Sequence, residues 1–249
     1  MLVSIITPSY NAEKLIVDTI ESVIAQTYIE WEMIVIDDNS TDKSVQIVKK
    51  YMKKDSRIQL IELDIQHGPA KARNKGIELA KGRYISFLDS DDTWVPHKLE
   101  RQLSFMKEYD LSFTYASYFL MNENGKKIGS FVIPKEITYH SMLKTCSVGC
   151  LTAIYDTKKI GKQYMQAENL RKGEDYVLWL NILKRIKSTK GIIEPLAYYR
   201  LQTTSLSSNK LNAVKAQWHV YREFEKLNIF KSIYYLVNYA YYGFFKYRS

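Results

Sequence analysis

Cysteine is scarce in this chain: Cys146 and Cys150 are the only two in 249 residues. Two thiols cannot build a disulfide framework, and neither has partners at metal-ligand spacing, so both read as structural thiols in a reducing compartment. Neither G-x-G-x-x-G nor G-x-x-x-x-G-K-[ST] follows any apolar run, which sets aside dinucleotide-fold and P-loop chemistry. The opening Met1-Leu2-Val3-Ser4-Ile5-Ile6 has no basic leader and no small-residue cleavage site. It reads as a first strand, and a cytoplasmic protein is expected. The apolar stretch 230–245 is broken by Lys231, Ser232 and Asn238, too polar to span a bilayer. No repeat, low-complexity tract or linker is visible.

Apolar content of 46% is enough for a real core. A net charge of +9, 36 basic against 27 acidic residues, points to an anionic partner: nucleic acid, anionic lipid or a phosphorylated ligand. Charge alone does not choose among them.

Residues 2–7, 33–36, 58–63 and 83–88 read as four buried strands, separated by helical spacing over 15–24, 45–52 and 70–80. Asn11 is expected to cap the first helix, and Gly68-Pro69 opens the third. Such alternation predicts an α/β fold with a mostly parallel, Rossmann-like sheet flanked by helices, whose ligands bind beyond the carboxyl ends of the strands. Asp38 and Asp89 to Asp92 stand at such ends and are expected to face one crevice. The second half is less regular. It suggests a helix near 99–106, strands at 111–120, 149–155 and 192–200, and a buried helix at 177–183 behind Gly173-Glu174-Asp175. Residues 210–249 hold twelve of the 33 aromatics and carry net charge +5.

The sharpest feature is Tyr84-Ile85-Ser86-Phe87-Leu88-Asp89-Ser90-Asp91-Asp92, an apolar strand ending in three carboxylates within four positions. Carboxylates this close repel one another unless a cation or a set of donors neutralises them. A solvated turn or a helix start would also use Asp here. Mg²⁺ or Mn²⁺ takes one or two protein carboxylates together with substrate phosphates, a need that Asp89 and Asp91 fit.

Four ordered segments, Ser4-Ile5-Ile6-Thr7-Pro8-Ser9-Tyr10-Asn11, Ile36-Asp37-Asp38-Asn39-Ser40-Thr41-Asp42, Ala72-Arg73-Asn74 and Phe87-Leu88-Asp89-Ser90-Asp91-Asp92, resemble family 2 glycosyltransferases of the GT-A fold. The similarity continues through Gly173-Glu174-Asp175 and Tyr199-Arg200. It covers roughly residues 1–209 and is nearest to bacterial enzymes of cell-surface polysaccharide assembly, such as teichuronic acid glycosyltransferases. The resemblance implies a catalytic domain over 1–209 with a helical, aromatic-rich extension over 210–249. It implies metal-dependent, inverting transfer from a nucleotide sugar, with UDP as carrier, to a saccharide or a polyprenyl-phosphate-linked acceptor, and no nucleic acid partner.

By the same resemblance, Pro8 and Tyr10 border the nucleobase, Asp38 accepts from the uracil N3–H, and Arg73 lies near the nucleotide. Asp91 binds the metal, with Asp89 on its metal or ribose side, while Asp92 caps the next segment. Asp175 is the base, with Glu174 orienting the acceptor or serving as base in its place; both also suit a helix N-terminus. Arg200 contacts the diphosphate, and Gln202 stands where the family pattern has His. Tyrosines and lysines flanking the apolar stripe of the tail suit an anionic membrane surface, and equally an aromatic helix packed on the catalytic domain or a dimer partner.

Two rival readings start from the same residues. Asp89-Ser90-Asp91-Asp92-Thr93 matches the D-x-D-x-T nucleophile motif of haloacid dehalogenase-like phosphatases, but three strand-helix units precede it and no later strand ends in paired acids. A non-catalytic nucleotide-binding or membrane-peripheral protein would explain Gln202 and the basic tail. It leaves Asp91 and Asp175 without a purpose.

Overall fold

The computed structural model describes residues 1–166, 168, 170, 173–201 and 210–245, so Gln202 and its expected phosphate or metal contact lie outside the described residues. The first half alternates strictly: β1 (Val3–Ser9), α1 (Ile16–Ile24), β2 (Trp31–Asp37), α2 (Ser44–Met52), β3 (Ile58–Glu62), α3 (Pro69–Leu79) and β4 (Tyr84–Phe87). Every residue of β1, β2 and β4 is buried, which is why these segments read as unbroken apolar runs. Asn11 does not cap α1. It adopts φ +47°, and the helix begins behind Leu15 without a side-chain cap.

There follow β5 (Thr93–Trp94), α4 (Lys98–Glu108), β6 (Phe113–Met121), β7 (Lys127–Phe131), β8 (Glu136–Thr138), α5 (Tyr139–Lys144), β9 (Ile154–Asp156), α6 (Thr157–Ile160), α7 (Glu174–Ile186), β10 (Ser188–Arg200), α8 (Lys210–His219) and α9 (Ile229–Phe245). The strand expected over 149–155 is shorter. Cys150–Thr152 form a 3-10 turn, with Thr152 Oγ1 donating to the Gly149 carbonyl at 3.0 Å, and only Ile154–Asp156 pair.

The strands join one mixed sheet in the order β3-β2-β1-β4-β9-β6-β10-β5, with β7 on β6 and β8 on β10. Its first four strands are parallel, as is the β6–β10 pair, while β9 lies antiparallel between β4 and β6. The chain winds outward from β1 through β2 to β3 and then returns to place β4 on the other side of β1. That reversal opens a crevice at the carboxyl ends of β1 and β4, the position where open α/β sheets take ligands.

Pro8 belongs to this geometry. Ile6 offers its carbonyl to Leu88 on the β4 side, and Ser9 offers its carbonyl to Asp38 on the β2 side. Two residues beyond Ile6, Pro8 therefore faces the side where the β1–β4 ladder has already ended at Ile6–Phe87. A missing N–H costs nothing there.

Apolar side chains cover both faces of the sheet. One core cluster takes Ile6, Ile36, Phe87, Phe113 and Trp179 under α3 and α7; the other takes Ile5, Ile16, Ile20, Val35 and Leu99 under α1 and α4. Trp179 stacks on Phe113 at 5.2 Å and meets Phe87 edge-on at 5.9 Å, which fixes α7 over β4 and β6. Gly76 lets α3 press onto β1, since a Cβ there would fall 2.5 Å from Ile6 Cγ2. The C-terminal helices join the same body: Tyr221 donates to the Leu143 carbonyl, and Tyr235 meets His140 Nδ1 at 2.9 Å.

Candidate active site

Three elements converge on the crevice. The first is α3, whose inner face carries Ala70, Arg73, Gly76 and Ile77 at helical spacing. Arg73 thus stands on the stripe that should be apolar, and a buried guanidinium needs a partner. It finds Asp89, just beyond β4, in a direct ion pair through Nη2. Burial works against the guanidinium, but Asp89, followed by Cys150 and Asp175, outweighs it and holds Arg73 more firmly charged than usual. Among the described residues the buried Arg73 Nε has no hydrogen-bond partner, which leaves one donor of the fork uncommitted.

The second element is the N-terminus of α7. Gly173 takes a left-handed conformation, φ +85°, and the helix opens directly on Glu174 and Asp175. Asp175 accepts from the Tyr176 N–H at 2.8 Å. Burial raises its carboxyl above the ordinary value; Arg73 and the Tyr176 amide pull it down, and Asp89 adds to the rise. Glu174 is raised too, by burial first and also by Asp175, with Arg73 opposing. Asp89, Arg73 and Asp175, distant in sequence, therefore share one field.

The third element is the loop after β4. Its acids separate in role. Asp89 and Asp91 are partly exposed, whereas Asp92 is buried and accepts the Arg200 backbone N–H at 2.8 Å. Burial lifts the Asp92 carboxyl well above its ordinary range, reinforced by the charges of Asp91 and Asp89. Its charge is then a liability that protonation relieves. The sign follows: this penalty is absent below the unfolded carboxylate range and grows as pH rises toward the raised folded value. Asp92→Asn, measured without metal, should raise Tm at neutral pH by about 2–4 °C for each kcal/mol relieved, and the gain should vanish toward acid pH. A variant less stable than wild type at neutral pH would contradict this assignment.

Arg200 braces the same loop from behind. Its Nε donates to the Asp91 carbonyl at 2.9 Å, Nη1 to the Glu123 carbonyl at 2.9 Å, and Nη2 to the Asp18 carboxylate at 3.1 Å. Counting its bonds among the described residues, two of its five donors remain for the expected diphosphate contact. Asp38 is similarly engaged at the end of β2, where its two oxygens accept from the His67 and Gly68 amides at 2.7 Å each. It ties the entry of α3 to the sheet. Each oxygen keeps a second lone-pair direction for a ligand N–H. Tyr10 stands exposed at the crevice mouth, just past β1 and the buried Pro8.

Asp37 and Asp42 serve the surrounding turns. Asp37 accepts from both Ser40 N–H and Ser40 Oγ, and Asp42 accepts from the Ser44 N–H at 2.9 Å and the Glu13 N–H at 3.0 Å. Among the described residues no group of three or more His, Cys, Asp or Glu side chains forms a metal cage. What the crevice offers is a pair of partly exposed carboxylates, Asp89 and Asp91, a donor set suited to an ion that takes its other oxygens from phosphate and water.

Two residues of this neighbourhood were not legible as such in the sequence. Cys150, expected as a core thiol, packs against the core and also lies in the field of the site: burial pushes its thiol well up, Arg73 opposes, and Asp89, Asp175 and Asp92 reinforce. Lys98 is fully buried beneath the loop, with Nζ donating to Ser86 Oγ at 2.7 Å and lying 3.5 Å above the Trp94 ring. Burial draws its ammonium well below the ordinary range.

Comparison with known proteins matches residues 4–153 to the family model described as glycosyl transferase family 2. The chain is 45% identical over 240 residues to TuaG of Bacillus subtilis (strain 168), a protein named for teichuronic acid biosynthesis, covering 96% of this chain and 94% of that one. It is 44% identical over 245 residues to WfgD of Escherichia coli, a UDP-Glc:alpha-D-GlcNAc-diphosphoundecaprenol beta-1,3-glucosyltransferase, covering 97% and 93%. Among solved structures, S. aureus TarS 1-349 in complex with UDP-GlcNAc superposes with TM-score 0.73 at 24% identity over 96% of this chain and 72% of that one, a likeness of fold.

Proposed function

The chain belongs to glycosyl transferase family 2 and is a glycosyltransferase, and we propose that it inverts the sugar it transfers, taking it from a UDP-sugar with the aid of Mn²⁺ or Mg²⁺. The acceptor in this reading is a saccharide, carried on a polyprenyl phosphate lipid, in the assembly of a surface polysaccharide at the cytoplasmic side of the membrane. Two relatives of 44% and 40% identity are named for a diphosphoundecaprenol-linked acceptor and for UDP-Glc, which supports both halves of the reading. The observation that carries the chemistry is the Arg73–Asp89 ion pair at the carboxyl edge of the sheet, with Asp175 in the first turn of α7 bearing on the same guanidinium.

In this reading the nucleobase lies between Pro8, Tyr10 and Asp38, and the diphosphate lies over Asp89 and Asp91. Asp89 and Asp91 would hold an ion there, which would supply charge neutralisation for the departing diphosphate. Arg73 fixes Asp89 and keeps a positive charge beside the ribose or phosphate. The acceptor oxygen attacks C1 from the face opposite the diphosphate; the new C1–O bond forms as the C1–phosphate oxygen bond breaks. The hydroxyl proton passes to Asp175, with Glu174 orienting the acceptor. Burial of Asp175 serves this step, because a carboxylate raised toward neutrality is a stronger base. Arg200 acts through the Asp91 backbone as well as through its unused donors.

A transfer assay over a panel of nucleotide sugars, with a diphospholipid-linked monosaccharide as acceptor, tests the reading. The expected product comes from a UDP-sugar and shows, by NMR, the anomeric configuration opposite to that of the donor. Retention of configuration, or phosphomonoester turnover with no transfer, would overturn it.

A further inference from the structure

Helix α9 is apolar on both of its faces. Its inner side packs on α5, where Ser232 and Tyr235 are buried and Asn228 Oδ1 accepts the Lys231 N–H at 2.9 Å to start the helix. At 100° per residue, Phe230, Ile233, Tyr234, Val237 and Tyr241 fall on the opposite side. That side faces outward: Phe230 is 80% exposed, Val237 63% and Tyr241 61%. A surface helix of a globular protein normally turns charged or polar residues to water. This one carries a single charge, Lys231, and no acid in its 17 residues. An exposed apolar stripe of this kind marks an interaction face.

The surroundings identify what covers it. Lys231 on α9 and Lys226 in the turn before it are exposed, and Lys144 Nζ lies 5.8 Å from the Tyr234 ring centroid. Residues 210–249 hold seven Lys or Arg against two Glu, and one of those two, Glu225, is closed off by Lys184 at 2.8 Å. At 17 residues the helix is about 25 Å long, and no described helix is long and apolar enough to cross a membrane. A second copy packed face to face would bring only α9's own surface against the stripe, and that surface has no acid to answer Lys231. An anionic bilayer supplies both the apolar bed and the counter-charge, and tyrosines suit its headgroup boundary. We infer that the outward face of α9 lies flat on an anionic lipid surface, seating the crevice where a lipid-linked acceptor is presented; the purpose, though not the docking, rests on the function proposed above.

The test is co-flotation of the full chain with phosphatidylcholine vesicles containing or lacking about one-third phosphatidylglycerol. Wild type should float with the anionic vesicles, and the Phe230→Ser, Val237→Ser, Tyr241→Ser triple variant should bind them at least about tenfold more weakly. Because these side chains lie outside the core, the variant should keep its Tm and its transfer to a short-chain, water-soluble acceptor. Wild type that stays unbound to anionic vesicles, a triple variant that floats like wild type, or a wild-type dimer that the triple variant makes monomeric would overturn the inference. Vesicle binding without transfer from any UDP-sugar would leave the docking face standing and refute the proposed function; transfer without vesicle binding would do the reverse.

Discussion

Asp175→Asn should lower the transfer rate by about 10²–10⁴-fold while leaving nucleotide affinity unchanged, the range expected when a general base is removed. The isosteric amide can still accept the Tyr176 N–H, so the start of α7 should survive. What it cannot do is take the acceptor proton. In wild type the carboxyl is raised above its ordinary value by burial, so the rate should fall on acidification at a pH above that of an unperturbed aspartate. The direction is fixed: below the raised value Asp175 is protonated and cannot accept. Glu174→Gln separates the two acids. If Glu174 only orients the acceptor, its variant should weaken acceptor use and retain the acid limb; loss of that limb would transfer the role of base to Glu174.

Asp91→Asn should lower transfer by about 10²–10³-fold, the equivalent of several kcal/mol of charge stabilisation lost at the leaving diphosphate. The effect should differ in kind from that at Asp175: nucleotide binding weakens too, and added metal restores part of it. The bracing of the loop makes this a fair test. The Asp91 carbonyl is held by Arg200 Nε and the neighbouring Asp92 by the Arg200 N–H, so a side-chain change at Asp91 leaves the backbone anchored. Unchanged metal dependence in the variant would remove Asp91 from the metal side of the crevice.

The sheet, and the acids at its edge, were readable because both follow from local chemistry. Strands buried on two faces must be apolar throughout, and three carboxylates after such a strand need a neutralising partner. The antiparallel insertion of β9 was hidden, because a three-residue strand after a 3-10 turn carries no periodicity of its own. The strand that ends at Arg200 is legible in the sequence, yet the grip of Arg200 on Asp18 joins residues 182 positions apart, which no local pattern encodes.

Arg73 and Lys98 teach a different point. Each lies at helical spacing with buried neighbours: Arg73 with Ala70, Gly76 and Ile77, and Lys98 with Leu99, Gln102, Leu103 and Met106. The spacing was present in the sequence, but it does not show that a cation on a helix is buried, and for Arg73 only the family resemblance pointed to the nucleotide. Its burial becomes visible only with the partner, Asp89 for Arg73 and Ser86 with Trp94 for Lys98. Asp38 had its place from the strand end, while its bonds to the His67 and Gly68 amides depend on how α3 enters.

The most direct test of the crevice is calorimetric titration of UDP into the protein with Mn²⁺, with Mg²⁺ and with chelator. One-to-one binding that needs the ion, is weakened in Asp91→Asn and is kept in Asp175→Asn is the expected result. Binding of equal strength in chelator and in Asp91→Asn would contradict an ion held by Asp89 and Asp91 beside the diphosphate.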